Sequence, residues 1–172
     1  MSLGVSGLRA VAHPVRLRML SLLTGTAMSA AELARELELT QANASYHLRT
    51  LVAAGLVSAA GQERVRGGMA KRYRYDMDAP LAGSNHAGEQ PLLAEALATE
   101  LLRRARQRRP DRPGATTDAE LWVSPEAWEE ARDQVAEAAR QLHLAARPPR
   151  QGGTVHVSAT VMLFEMQTEP EA

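Results

Sequence analysis

The chain has 172 residues, with 45% hydrophobic residues, 3% aromatics and no cysteine, and its 20 Lys+Arg balance 20 Asp+Glu. That length suits one ordinary domain, or a small domain with a substantial extension, and the apolar fraction excludes a disordered chain. Lack of cysteine excludes a disulfide framework, a thiolate metal site and a cysteine nucleophile.

No run of about eighteen apolar residues occurs, so no membrane span is expected. The N-terminal "MSLGVSGLRAVAHPVRLRML" lacks the charged start, apolar middle and small-residue cleavage site of an export signal, and the expected location is cytoplasmic. The zero net charge hides an asymmetry. Residues 1–80 hold ten basic and six acidic residues, or +4, and residues 81–172 hold ten and fourteen, or −4. A basic front and an acidic back fit a nucleic-acid-binding module joined to a regulatory or dimerisation part. The number of arginines carries less weight: nineteen of the twenty basic residues are Arg and the chain has no Ile, a bias that points to genomic base composition.

In chain order, "GLRAVAHPVRLRMLSLLTG" sets Leu8, Val11 and Ala12 on one side, with Leu17, Leu20 and Leu23 extending an apolar face. Pro14 removes a ladder donor, which predicts a kink or two short helices, with His13 near an N-cap, Pro14 in the first turn and Gly25 as the stop. "SAAELARELEL" follows, with Ser29 and Glu32 at capping-box spacing and Leu33 and Leu37 facing inward. Thr40 caps a third helix running to about Ala54 and ended by Gly55, in which Ala44, Leu48 and Leu51 form the buried stripe and His47 flanks it. The pattern then changes period. "LVSAAGQERVRGGMAKRYRYDM" predicts a hairpin whose second arm points Tyr73, Tyr75 and Met77 one way and Arg72 and Arg74 the other.

Residues 79–89 read as a linker. A helix is expected over about 90–109, with Leu92, Leu93, Ala96, Leu97, Glu100 and Leu101 on a mostly apolar side, ending in "RRARQRR". That run is read first as a basic helix C-terminus, a location that favours cations by itself, and second as a further DNA contact. Beyond "PDRPGATTD", "AELWV" is a short strand candidate. Ser124 and Pro125 then open a helix with Trp128, Ala131, Val135, Ala138 and Leu142 inward. "TVHVSATVMLFEM" is the best strand of the chain. No repeat is found.

Three helices followed by a two-stranded wing describe a winged helix-turn-helix. "AHPVRLRMLSLL", "SAAELARELELTQANASYHLRTLVAAGLV" and "RGGMAKRYRY" resemble the ArsR-type winged-helix repressors of bacteria over roughly residues 5–77. The most specific piece is "SYHLRTLVAAGLV". The expected fold is mainly α with α+β elements: a winged helix-turn-helix domain over 1–78, the linker over 79–89, a dimerisation helix over 90–110, and a small C-terminal strand-helix-strand unit within an α/β extension over 111–172, serving dimerisation or effector binding.

The outward stripe of the third helix, Ala42, Ser45, Tyr46 and Arg49, is read as facing a DNA groove. Gln41 and Asn43 stand in the first turn, where recognition helices meet base edges, and their amides suit adenine. In the wing Arg64, Arg66, Lys71, Arg72 and Arg74 are expected to follow the DNA backbone or the adjacent minor groove. His47 is assigned to helix–helix packing.

The resemblance also brings metal sensing to mind, and the residues oppose it. No cysteine is present, the helix after the expected wing offers Glu95 and Glu100 but no histidine, and histidines 13, 47, 86, 143 and 156 lack ligand spacing. No cofactor and no catalytic site are expected. The partners are a double-stranded DNA operator, a second copy of the chain, and a small organic effector or protein that tunes operator affinity. Alternatives from other classes are a winged-helix protein-interaction module and a non-metal ligand sensor.

Overall fold

The computed structural model describes residues 7–65, 68–77 and 89–167. Two short helices open it, α1 (Gly7–Val11) and α2 (Pro14–Gly25). The break falls at Pro14 because a proline in the first helical position lacks only a donor that is orphaned anyway. His13 caps α2 by accepting a hydrogen bond from the Val15 amide on its ring Nδ1 at 3.2 Å. The Arg16 guanidinium turns back to donate to the carbonyls of Ala10 and Arg9, filling acceptors that the end of α1 leaves open.

Strand β1 (Met28–Ser29) leads into α3 (Ala30–Leu37), whose capping box is complete: Ser29 Oγ accepts from the Glu32 amide, and Glu32 accepts from the Ser29 amide at 2.7 Å. The turn out of α3 is made by Glu38 at φ 57° and ψ 43°. Its amide and that of Leu39 donate to Arg35 and Ala34 carbonyls, a Schellman closure built on a position where glycine is the usual occupant. Thr40 then caps α4 (Gln41–Ala53), and the same closure recurs at its other end, with Gly55 at φ 73° and Leu56 donating to Leu51. Two left-handed turns, at 38 and 55, thus fix where α4 starts and how the chain leaves it.

The wing is β2 (Val57–Val65) paired antiparallel with β3 (Gly68–Tyr75), and the sheet order is β1-β3-β2. A bulge between Ala59 and Gly61 shifts the register. The pairing of Met28 with Tyr73 and Ser29 with Arg72 joins the wing's base to the start of α3. Nothing in the sequence signalled β1, because two residues are too few for a periodicity.

One core serves α1 to α4 and the wing base, with Met19, Leu23, Leu33, Leu51 and Leu56 fully enclosed. Met19 belongs to it although the expected face ran through Leu17, which is half-buried. Gly25 ends α2, yet not by left-handed geometry: a Cβ there would run into the carbonyl of Arg147, so the glycine admits a close approach of the later chain.

Helix α5 (Gln90–Ala105) packs Leu93, Ala96 and Glu100 towards α1 and α2. It stops short of the expected 109, because Gln107 and Arg108 close tight turns ahead of Pro110, a residue that disfavours helical geometry before it. Helix α6 (Pro125–Leu144) forms as expected under the Ser124 cap, but buries no residue. Its predicted inner face is only half-covered at Trp128 and Val135, and Leu142 is exposed. The strand-helix-strand unit is the main correction to the expected fold. Neither 119–123 nor 154–166 makes a ladder, and no C-terminal sheet is present among the described residues. A strand exists only by pairing, and these segments have no partner strand among the described residues. No described helix is long and apolar enough to cross a membrane.

Candidate nucleic-acid interface

Helix α4 is two-sided. Ala44, His47, Leu48 and Leu51 are buried, while Gln41, Ala42, Asn43, Tyr46 and Arg49 are exposed, Tyr46 by 57%. Ser45 is half-buried on the edge between the two sides. The Thr40 hydroxyl accepts from the Asn43 amide at 3.2 Å, so the first turn that carries Gln41 and Asn43 is fixed from its own N-cap. Beside α4 runs an open groove of about 550 Å³, lined by Ala30, Ser45, Leu48, Arg49, Val52, Ala53 and Tyr73. It joins the exposed face of the helix to the wing.

Alternation along β3 sorts the wing cations. Lys71 lies on the Tyr73 side, which borders the groove, and it pairs across the ladder with Gln62, as Met69 does with Arg64. Arg49, Arg64, Lys71 and Arg74 are exposed and make no ion pair among the described residues. Arg66 lies outside the described residues, as does His86. Arg72 departs from its expected place. It sits on the opposite side of β3, where its guanidinium donates to Glu63 and to the Ala27 carbonyl and stands 3.4 Å from Glu32. It therefore ties the wing to the α3 cap instead of extending outward. The reason is tertiary, since Ala27 and Glu32 reach Arg72 only after β1 pairs with β3.

Behind the exposed face, His47 is 6% exposed and its ring lies 4.7 Å from that of His13, with Arg16 close by. Tyr46 meets His47 edge-on at 5.3 Å. Burial, then the neighbouring His13 and the Arg16 charge, hold His47 below the ordinary histidine value of 6.5; burial and Arg16 do the same to His13. A lowered folded-state value means the unfolded chain takes up protons first. Stability is then complete above pH 6.5 and falls as the pH drops from there toward the lowered values. The thermal midpoint is expected to decline between pH 7.5 and 5.5, and His47→Leu should flatten that decline. An unchanged wild-type midpoint across this range would dismiss the assignment.

The basic run at the end of α5 divides. Arg103 forms a two-pronged pair with the buried Glu100 at 2.8–3.2 Å, and Arg104 donates to the Glu100 carbonyl, whereas Arg106 and Arg108 are exposed. Among the described residues no group of three or more His, Asp or Glu is placed to hold a metal ion.

A capped second helix crossing the first, presented outward beside a hairpin, defines a winged helix-turn-helix. Residues 11–58 match a family model described as a helix-turn-helix domain, of ArsR-like type. The match takes in α2, α3 and α4 and stops at the second residue of β2. Against curated protein sequences the chain has no match. Such a domain implies DNA binding, and it indicates a regulator rather than an enzyme.

Proposed function

We propose that the chain is a homodimeric, sequence-specific transcriptional repressor. The observation that carries this reading is the two-sided α4, whose amide-bearing first turn is capped and exposed while its opposite side is locked into the core. In a dimer, two such helices enter successive major grooves of a pseudo-palindromic operator about 34–36 Å apart. Gln41 and Asn43 read base edges; Ala42 and Tyr46 line the contact, and Ser45 and Arg49 reach bases or phosphates at the groove margin. Arg64, Lys71 and Arg74, together with Arg66, follow the backbone. Arg72 acts as the anchor that aims the wing.

The division that goes with this reading is a DNA-binding domain over 1–78, a linker over 79–89, a dimer helix beginning at residue 90, and a C-terminal extension over 111–172. For the extension, dimerisation is preferred over effector binding because α6 and its flanks turn apolar side chains outward instead of round a cavity. The same outward surface is what a protein-interaction module would show, and it is the observation favouring that second reading.

The deciding measurement is a salt-dependent mobility-shift titration against DNA upstream of the protein's own coding sequence, with scrambled DNA as competitor. Equal affinity for both would end the sequence-specific reading. Gln41→Ala and Asn43→Ala are each expected to reduce discrimination by about 1–3 kcal/mol per lost bidentate contact while leaving affinity for scrambled DNA unchanged.

A further inference from the structure

The thirteen residues 154–166, "TVHVSATVMLFEM", hold no glycine, no proline and a single acidic residue. They have the composition that pairs most readily as a strand. Yet among the described residues, no backbone–backbone hydrogen bond involves 154–166. The segment is nevertheless tied in place. The Ala159 carbonyl accepts from Arg104 of α5 at 3.4 Å, and Glu165 accepts from the Trp128 indole of α6 at 2.9 Å. Upstream, Arg150 clasps Glu36 of α3 at 2.8–2.9 Å. The segment thus lies next to α5, whose Leu101 and Leu102 are also exposed.

We propose that residues 154–166 pair antiparallel with the same segment of a second copy, forming a two-fold intersubunit sheet. This rests on the homodimer reading above and gives that dimer a second interface, distinct from the dimer helix. The segment's own chemistry selects a copy of itself. The other strand candidate in the chain, 119–123, has five residues and would leave most of the thirteen unpaired. A two-fold axis through residue 160 pairs all thirteen and keeps each side chain on its own face, because opposed residues then share parity. Val157 meets Leu163 and Ala159 meets Val161, apolar pairs of the kind that stabilise antiparallel ladders. Glu165 falls opposite Val155 at each end, so the two carboxylates never meet. A foreign partner would ordinarily be selected through complementary charge, which this segment scarcely offers. Its seven large apolar side chains are 37–83% exposed and so free to meet those of a second copy.

The native chain has no cysteine, so one introduced thiol reports by itself. Opposed residues in an antiparallel ladder have Cα atoms about 4.5–5.5 Å apart, within disulfide reach. Full-length Thr160→Cys, treated with oxidised glutathione, is expected to form a disulfide-linked dimer. Ser158→Cys lies about 13 Å from its copy, four residues along the ladder, and should cross-link at least tenfold less. Amide exchange over 155–165 should slow as protein concentration rises through the dimerisation range, read in parallel by sedimentation velocity. A monomer at tens of micromolar, equal cross-linking of the two variants, or a dimer whose 155–165 amides exchange freely would each overturn the proposal. None of these readings uses DNA. A 160-linked dimer without DNA affinity would sink the regulator reading and leave the interface standing, while a DNA-binding monomer would overturn the interface and the homodimer and leave DNA binding standing.

Discussion

Leu51→Ala will cost about 2–5 kcal/mol of folding stability, the range for removing a buried leucine where the surroundings close only partly. Leu51 is fully enclosed, and its carbonyl also receives the Leu56 amide at the end of α4. It shares one core with Leu23 of α2, Leu33 of α3 and Leu56 at the entry to the wing. The cavity therefore opens where the three helices and the hairpin meet. With total stability of a single domain near 5–15 kcal/mol, the variant should be partly unfolded at 37 °C. Urea titration followed by circular dichroism measures the loss. Val52→Ala, on the exposed side of the same helix, serves as the control and should stay within about 1 kcal/mol of the parent. A Leu51→Ala protein as stable as that control would mean α4 is not held by this core.

Arg72→Ala and Lys71→Ala are expected to separate, although the two residues are neighbours. Removing Arg72 leaves Glu63 and the Ala27 carbonyl without their guanidinium partner and frees the wing from the α3 cap. The site is partly exposed, so after allowance for solvent screening the loss is about 1–2 kcal/mol, or roughly 2–8 °C in the thermal midpoint. Its DNA affinity should drop through misplacement of the wing, with the salt slope held. Lys71→Ala should leave the midpoint where it was and reduce the slope of log affinity against log salt by about 0.9, one phosphate contact. Paired melting curves and salt titrations decide the matter. If Arg72→Ala were as stable as the parent and lost the full slope increment, Arg72 would be a phosphate contact and the anchoring role would fall.

That contrast shows where reading residues in order stops. The sequence predicts Arg72 and Arg74 together on an outward arginine face, because alternation along a strand gives sides and not neighbours. Both do share one side of β3. What separates them is β1, two residues that bring Ala27 and Glu32 beneath Arg72 and leave Arg74 exposed. Lys71, one position away, lies on the groove side with Tyr73. Helix α4 was legible in much finer detail. Its cap, buried stripe and glycine exit follow from local rules that hold for any α-helix, and so does the outward placement of Gln41, Ala42, Asn43, Tyr46 and Arg49.

The C-terminal third divides along the same line. Ser124 and Pro125 start α6 by the same local rules, and the helix forms although nothing encloses it. The short candidate 119–123 and the strand-like 154–166 make no ladder among the described residues, because a strand's hydrogen bonds are supplied by a neighbour and not by itself. Sequence alone thus determined the helices, their caps, the hairpin and the two sides of α4, all of which show in local spacing, capping and turn patterns. Only the tertiary structure decided which cations face outward, why Gly25 must be small, and that 154–166 find no ladder among the described residues. Those outcomes depend on which distant segments meet, and local spacing does not encode that.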